Sequence, residues 1–171
     1  MTKSKICSIC AKPNPTGTCG VCHDLVCKSC VEILPEESFL FAPDLTENYI
    51  HKTYCSVCFD QNVAPILKLY NETLTRAHDV IVFYKTQNKE TRTVRRQHEP
   101  ITITDRPDRD LVLLELAFWA AKENYNALVD VEINSKKVGK AGYFRSAWSG
   151  SGVPVKIDPN SPMVLKAHNK N

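Results

Sequence analysis

The residues of this chain best suited to chemistry are its eight cysteines. They come as four C-x-x-C pairs: Cys7-Ser-Ile-Cys10, Cys19-Gly-Val-Cys22, Cys27-Lys-Ser-Cys30 and Cys55-Ser-Val-Cys58. Two intervening residues let a tight turn aim both sulfurs at one ion about 2.3 Å away, with an S–metal–S angle of about 109°. A closed structural Zn²⁺ site takes four such ligands, so eight cysteines make two sites with no open position for a catalytic water. Cys₄ sites also suit iron–sulfur clusters. A lone C-x-x-C is a redox motif when a thioredoxin-like βαβ pattern adjoins it, but none adjoins these four. All eight lie between Cys7 and Cys58, and the 113 residues that follow have none. A secreted disulfide scaffold would staple the whole chain, so metal is the better reading. The expected cofactor is a pair of structural zinc ions.

The residues alone leave the pairing of ligands open. Only His23-Asp24-Leu25-Val26 separates the second and third pairs, a length that suits a short hairpin whose two ends face different ions. Interleaved sites join pairs one with three and two with four. Sequential sites join one with two and three with four.

The block Cys19-Gly-Val-Cys22-His-Asp-Leu-Val-Cys27-Lys-Ser-Cys30, with apolar Val26 before Cys27, resembles the middle of a FYVE domain. Tyr54-Cys55-Ser-Val-Cys58-Phe59-Asp60 resembles the end of one, leading into a helix. Cys7-Ser-Ile-Cys10 is similar to the opening of many RING domains. The resemblance covers about residues 6–75 and implies a cross-brace, treble-clef-like finger. It implies interleaved ligands: Cys7, Cys10, Cys27 and Cys30 on one zinc, and Cys19, Cys22, Cys55 and Cys58 on the other. A RING frame can instead use His23 as a ligand and leave Cys22 spare. Cys22 is preferred because it completes a C-x-x-C, which leaves His23 as a hairpin residue.

FYVE domains bind phosphatidylinositol 3-phosphate through motifs that are missing here. No Trp precedes Cys7, no Arg or His lies among Asn14-Pro-Thr-Gly-Thr-Cys19-Gly20, and Tyr54 stands before Cys55. A multiply charged phosphate needs cationic donors, so no specific phosphoinositide binding is expected. The alternatives are the ubiquitin ligase activity of RING domains, with Ile9 as the apolar contact for a conjugating enzyme, and a phosphoinositide or membrane reader of the FYVE kind. The last pair, however, lacks the usual following Pro, and Phe59 stands where a basic residue is common. The expected role is a non-enzymatic protein-interaction module.

These cysteines require elements to position them. Ile33, Leu34, Phe39, Leu40 and Phe41 are expected to fill the small core between the ions, since a small zinc domain has little else to pack. Residues 60–77 read as a connecting helix, with Val63, Ile66, Leu67, Tyr70 and Leu74 on one stripe, Asp60 as cap and Pro65 in the first turns. The stripe is expected to pack on one of the two modules, a dimer interface being the alternative.

The finger is assigned to residues 1–59, a small α+β domain to 78–158 and a flexible tail to 159–171. In the α+β domain, Asp79–Tyr84 reads as a buried strand, Lys85–Arg92 as a turn, and Thr93–Thr104 as a second strand. Asp108–Tyr125 is a helix capped by Asp105 or Asp108. Ala127–Ile133 is a strand with Val129, Val131 and Ile133 inward. Val138–Trp148 is another, broken by Ser149-Gly-Ser-Gly152, and Val153–Ile157 is an edge strand because of Pro154. The order β-β-α-β-β implies one helix across a mostly antiparallel sheet. Ala121, Asn126-Ala-Leu-Val129 and Ser149-Gly-Ser-Gly152-Val-Pro-Val155 resemble the small bacterial YbjQ-like family. That resemblance implies homo-oligomerisation. Metal binding is not carried over, because the domain's histidines, His78, His98 and His168, have no ligand-like spacing.

Residues 1–75 hold six Lys/Arg and eight Asp/Glu, a net of −2; the remainder holds sixteen and eleven, a net of +5. Arg92, Arg95 and Arg96 are the densest basic cluster, and so mild a balance gives no expectation of nucleic-acid binding. Asp105, Asp108 and Asp110 crowd a helix start, where the macrodipole explains them. No phosphate loop, H-E-x-x-H or G-x-S-x-G is present. No apolar h-region follows Met1-Thr2-Lys3-Ser4-Lys5, so the expected compartment is the reducing cytoplasm.

Overall fold

The computed structural model describes residues 6–35, 37–42, 51–87, 89–140 and 142–161. The tail expected over 159–171 lies outside the described residues beyond Ser161, as do Pro43 and His168. The chain divides into two compact units, Met1–Asn71 and Glu72–Asn171. Among the described residues no helix is long and apolar enough to cross a membrane.

The first unit is built from two short antiparallel pairs. Strands β1 (Gly17–Thr18) and β2 (Leu25–Val26) form one, β3 (Val31–Ile33) and β4 (Thr53–Cys55) the other. Ser56–Cys58 then opens a helical run that widens into a π-turn over Phe59–Val63 and continues as α1, Ala64–His78. The π-turn precedes Pro65. With no N–H, Pro65 could not complete an α-helical bond to the previous turn, and the wider turn lets the Ala64 N–H reach the Phe59 carbonyl instead.

Asp60 is not the cap expected from the sequence. The run starts earlier, at Cys55, whose thiol accepts the Cys58 N–H. The first part of the apolar stripe is used inside the unit: Val63 packs with Leu34 and Tyr54, and Leu67, Val21, Phe39 and Phe59 close around them, whereas Leu74 lies beyond the unit's last residue, Asn71. Tyr70 takes the Phe41 N–H on its hydroxyl, and its ring meets Phe39 edge-on at 5.4 Å. The expected core residues therefore divide. Leu34 and Phe41 are buried and Phe39 is half-buried, whereas Leu40 and Ile33 are exposed, Ile33 by 67%.

The second unit has a four-stranded sheet in the order β5-β7-β8-β6, from β5 (Ile81–Tyr84), β6 (Ile101–Arg106), β7 (Ala127–Lys140) and β8 (Tyr143–Val155). Only β5 with β7 is parallel. Helix α2 (Arg109–Lys122) starts on Asp108, whose side chain accepts the Leu111 N–H at 2.7 Å.

Four expectations need correction. Val138–Trp148 is not one strand: β7 ends at Lys140, β8 begins at Tyr143, and the two pair as a hairpin. Residues 93–100 are not strand: β6 begins at Ile101, and the stretch before it is a strap of turns. Ser149-Gly-Ser-Gly152 does not break a strand, because β8 runs straight through it. A Cβ on Gly150 would stand 2.8 Å from Val112 Cγ1 of α2, so this glycine lets the helix approach the sheet. Finally, β8 is an inner strand. Pro154 is tolerated there because β6 pairs only as far as Gly152, which leaves Pro154 locally unflanked.

The alternation in β7 also shifts. Asp130 has φ 54° at a bulge between Val129 and Glu132. Ala127 and Val129 join Phe83, Val153, Val155 and Ile157 on one face. Leu128 and Val131 instead lie against Gly152, and Ile133 against Gly150, on the face that carries Val112. Both faces of the sheet are thus covered, one by α2 and the other by the strap, whose Val94 packs on the Phe83 cluster.

Candidate metal centres

The turns that hold the cysteines are built from backbone hydrogen bonds. In the first two pairs the residue after the second cysteine is left-handed, Ala11 with φ 56° and His23 with φ 60°. Each sends its N–H back to the carbonyl of the first cysteine, Ala11 to Cys7 at 2.9 Å and His23 to Cys19 at 3.0 Å. The third pair closes with the Cys30 and Val31 N–H groups on the Cys27 carbonyl. The fourth lies where β4 enters the helical run, so Cys55 and Cys58 sit at the positive end of the helix dipole.

The hairpin then separates the two middle pairs. Cys19 and Cys22 lie at the β1–β2 turn and Cys27 and Cys30 beyond the exit of β2. At that exit the Ser8 N–H donates to the Leu25 carbonyl, bringing the first loop to the third pair. At the turn the Gly20 N–H donates to the Thr53 carbonyl, bringing β4 and the fourth pair to the second. A side chain on Gly20 would collide with the His51 ring.

The outcome is two clusters of four cysteines positioned to bind metal: Cys7, Cys10, Cys27 and Cys30, and Cys19, Cys22, Cys55 and Cys58. First and third pairs converge, as do second and fourth. The sulfurs of each cluster all lie within 4.8 Å of one another. Cys10 and Cys27 Sγ are 3.5 Å apart, and Cys22 and Cys55 Sγ 3.9 Å. A tetrahedron with bonds of about 2.3 Å has edges of about 3.8 Å, so the cages are compatible with zinc. They are far too open for a disulfide, whose sulfurs stand about 2.05 Å apart, and all eight thiols are free. No His, Asp or Glu joins either cluster among the described residues, and His23 is exposed beside the second.

The electrostatics favour a cation. The Cys10 backbone N–H holds the Cys7 thiol below its ordinary range. Burial pushes Cys19 up, but N–H groups of Cys55, Cys22 and Val21 outweigh it and leave it at about 6. The Ser29 hydroxyl, 3.1 Å from the Cys27 sulfur, brings Cys27 to about 6. The neighbours go the other way. Cys30 is raised to about 12, chiefly by its hydrogen bond with Cys27, and burial raises Cys22 to about 11 and Cys58 to about 12. Thiols alone therefore cannot all ionise in so small a volume. A divalent ion removes the conflict, because coordinated thiols are deprotonated outright. Closed sets of four thiolates supply folding energy and leave no coordination position for a substrate.

The second unit distributes its charged residues differently from the sequence-based expectation. Arg96 grips Asp130 with Nε at 2.7 Å and Nη2 at 2.9 Å, and its remaining donors serve the Thr91 and Val94 carbonyls and the Thr91 hydroxyl. It locks the strap, while Arg92 and Arg95 are exposed. Arg106 forms a two-pronged pair with Glu115, which is buried on α2. Asp105 pairs with Arg145 at 2.8 Å. Sequence reasoning missed the Arg106–Glu115 pair, and the only signal for it was an acidic residue inside an otherwise apolar helix.

No family model, no curated protein and no solved structure matches this chain.

Proposed function

We propose that the N-terminal unit is a two-zinc cross-brace finger of the FYVE/RING kind, treble-clef-like, acting as a non-enzymatic protein-interaction module. The observation that supports it best is the interleaving of two closed Cys₄ clusters, which fits a structural metal and leaves nothing for catalysis. Ile9, Ile33, Leu40 and Val57 are exposed apolar side chains on this small unit, and such residues serve a partner better than they serve solvent. The charge balance of the finger becomes more negative with eight thiolates on two Zn²⁺, which speaks against an anionic lipid. Cytoplasmic residence belongs to the same reading, since thiolate sites need a reducing compartment.

The second reading, a RING-like ubiquitin ligase, is favoured by one observation, the exposure of Ile9 in the first zinc loop. Two measurements discriminate. The chain should not accelerate discharge of ubiquitin from charged conjugating enzymes, and acceleration would establish the ligase. Ile33→Asp should lose the proteins that the wild-type chain retains in a quantitative pull-down while keeping its zinc. Unchanged retention would remove the protein-interaction role from this face.

A further inference from the structure

Strands β7 and β8 are much longer than the sheet they belong to. The last β6 residue, Arg106, is opposite Trp148, and β5 pairs no further along β7 than Val131. Lys136–Lys140 and Tyr143–Ala147 therefore pair only with each other, in strict antiparallel register. They form a two-stranded ribbon that leaves the sheet for about five residues, or about 17 Å. Gly142, with φ 88°, turns its tip.

The ribbon's composition is one-sided. Residues 134–147 contain Lys136, Lys137, Lys140 and Arg145 and no acid. Lys136 and Lys137 are exposed, make no ion pair among the described residues, and as strand neighbours leave opposite faces of the ribbon. Arg145 touches Asp105, but both side chains are more than half exposed, and such a pair yields easily to a competing anion. Phe144, near the tip, is 69% exposed. The charge can be read along the sequence, but its placement on a free ribbon comes from the register of the hairpin, which sets Lys136 and Lys137 opposite the uncharged Ala147 and Ser146. The arginine cluster that does stand out, Arg92, Arg95 and Arg96, has its last member consumed by the strap.

We infer that the β7–β8 ribbon is a DNA-binding arm that seats in the major groove and contacts phosphates on both sides through Lys136, Lys137 and Arg145. A two-stranded ribbon is one of the two protein elements that B-form DNA admits into its major groove, about 12 Å wide. Cations leaving both faces reach both phosphate walls, where each neutralised phosphate releases a counterion. The small residues Ser135, Gly139 and Ser146 keep the ribbon thin. The narrow major groove of A-form RNA would not take it.

The test uses the full zinc-loaded chain and a fluorescent DNA duplex of about 20 base pairs in about 50 mM salt. The wild type should bind. Lys136→Gln with Lys137→Gln should weaken binding at least about tenfold and reduce the steepness of the log–log salt dependence by about two. Lys136→Arg with Lys137→Arg should retain it. Arg92→Gln with Arg95→Gln, an equal charge loss on the strap, should change affinity less than about twofold. Four results would overturn the inference. They are no duplex binding by the wild type, equal weakening by the two glutamine variants, tighter binding to an RNA duplex of the same sequence, and binding to phosphatidylserine vesicles without binding to DNA.

Discussion

At the scale of single residues, each cysteine is held by a backbone whose conformation matters as much as the thiol. Ala11 and His23 occupy the left-handed region, where a Cβ costs roughly 1–2 kcal/mol. Ala11→Gly should therefore stabilise the metal-loaded finger by up to about 1 kcal/mol, seen as a rise in its melting temperature at saturating zinc. A fall would mean that the turn is unstrained. Gly20→Ala should do the opposite, because His51 occupies the space. Arg96 and Asp130 give a pH test. The Arg96 guanidinium holds the Asp130 carboxyl below its ordinary value of about 3.9. A carboxyl lowered on folding contributes stability above its unfolded pKa, and that contribution is lost as pH falls through the lowered value. Asp130→Asn should thus cost about 1–2 kcal/mol at pH 7 and progressively less below about pH 4. Both tryptophans, Trp119 and Trp148, lie in the second unit, so their fluorescence follows its unfolding without interference from acid release of zinc. A penalty independent of pH would contradict the pairing.

At the scale of elements, what was legible in the sequence was what periodicity and spacing encode. The capped helix α2, the stripe of α1 and the order of strands and helix in the second unit could all be read from local pattern. What was not legible depended on partners distant in sequence. Ser149-Gly-Ser-Gly152 looks like a break until α2 lies over it, and then Gly150 is the place where Val112 seats. Gly150→Val should therefore destabilise the unit by about 1–3 kcal/mol through overpacking, while Gly139→Val, in the exposed ribbon, should leave it within about 0.5 kcal/mol. Equal effects on urea midpoints would mean that the helix does not rest on β8. Likewise, the one-residue bulge at Asp130 moves Val131 to the opposite face from Val129, which strict alternation could not anticipate. Residues 93–100 read as strand in the sequence, but the order of the strap comes from the donors of Arg96 and not from a ladder.

At the scale of the whole molecule, two units with different sources of stability share one chain. On the proposed reading the first depends on metal, since structural zinc contributes roughly 10–16 kcal/mol to a small finger. The second has no cysteine and a core sealed on both faces of its sheet. Chelation should therefore expose the amides of 6–71 to hydrogen exchange within minutes while those of β5, β7, β8 and α2 stay protected. Loss of protection throughout would make the second unit dependent on the finger. The interleaving of the cysteine pairs is the claim on which the rest stands, and cadmium in place of zinc reads it directly. In a ¹¹³Cd–¹H correlation spectrum of the cadmium-loaded chain, the β-protons of Cys7, Cys10, Cys27 and Cys30 should connect to one cadmium resonance and those of Cys19, Cys22, Cys55 and Cys58 to a second. Connection of Cys7 and Cys10 to the same cadmium as Cys19 and Cys22, or a single cadmium resonance, would contradict the account.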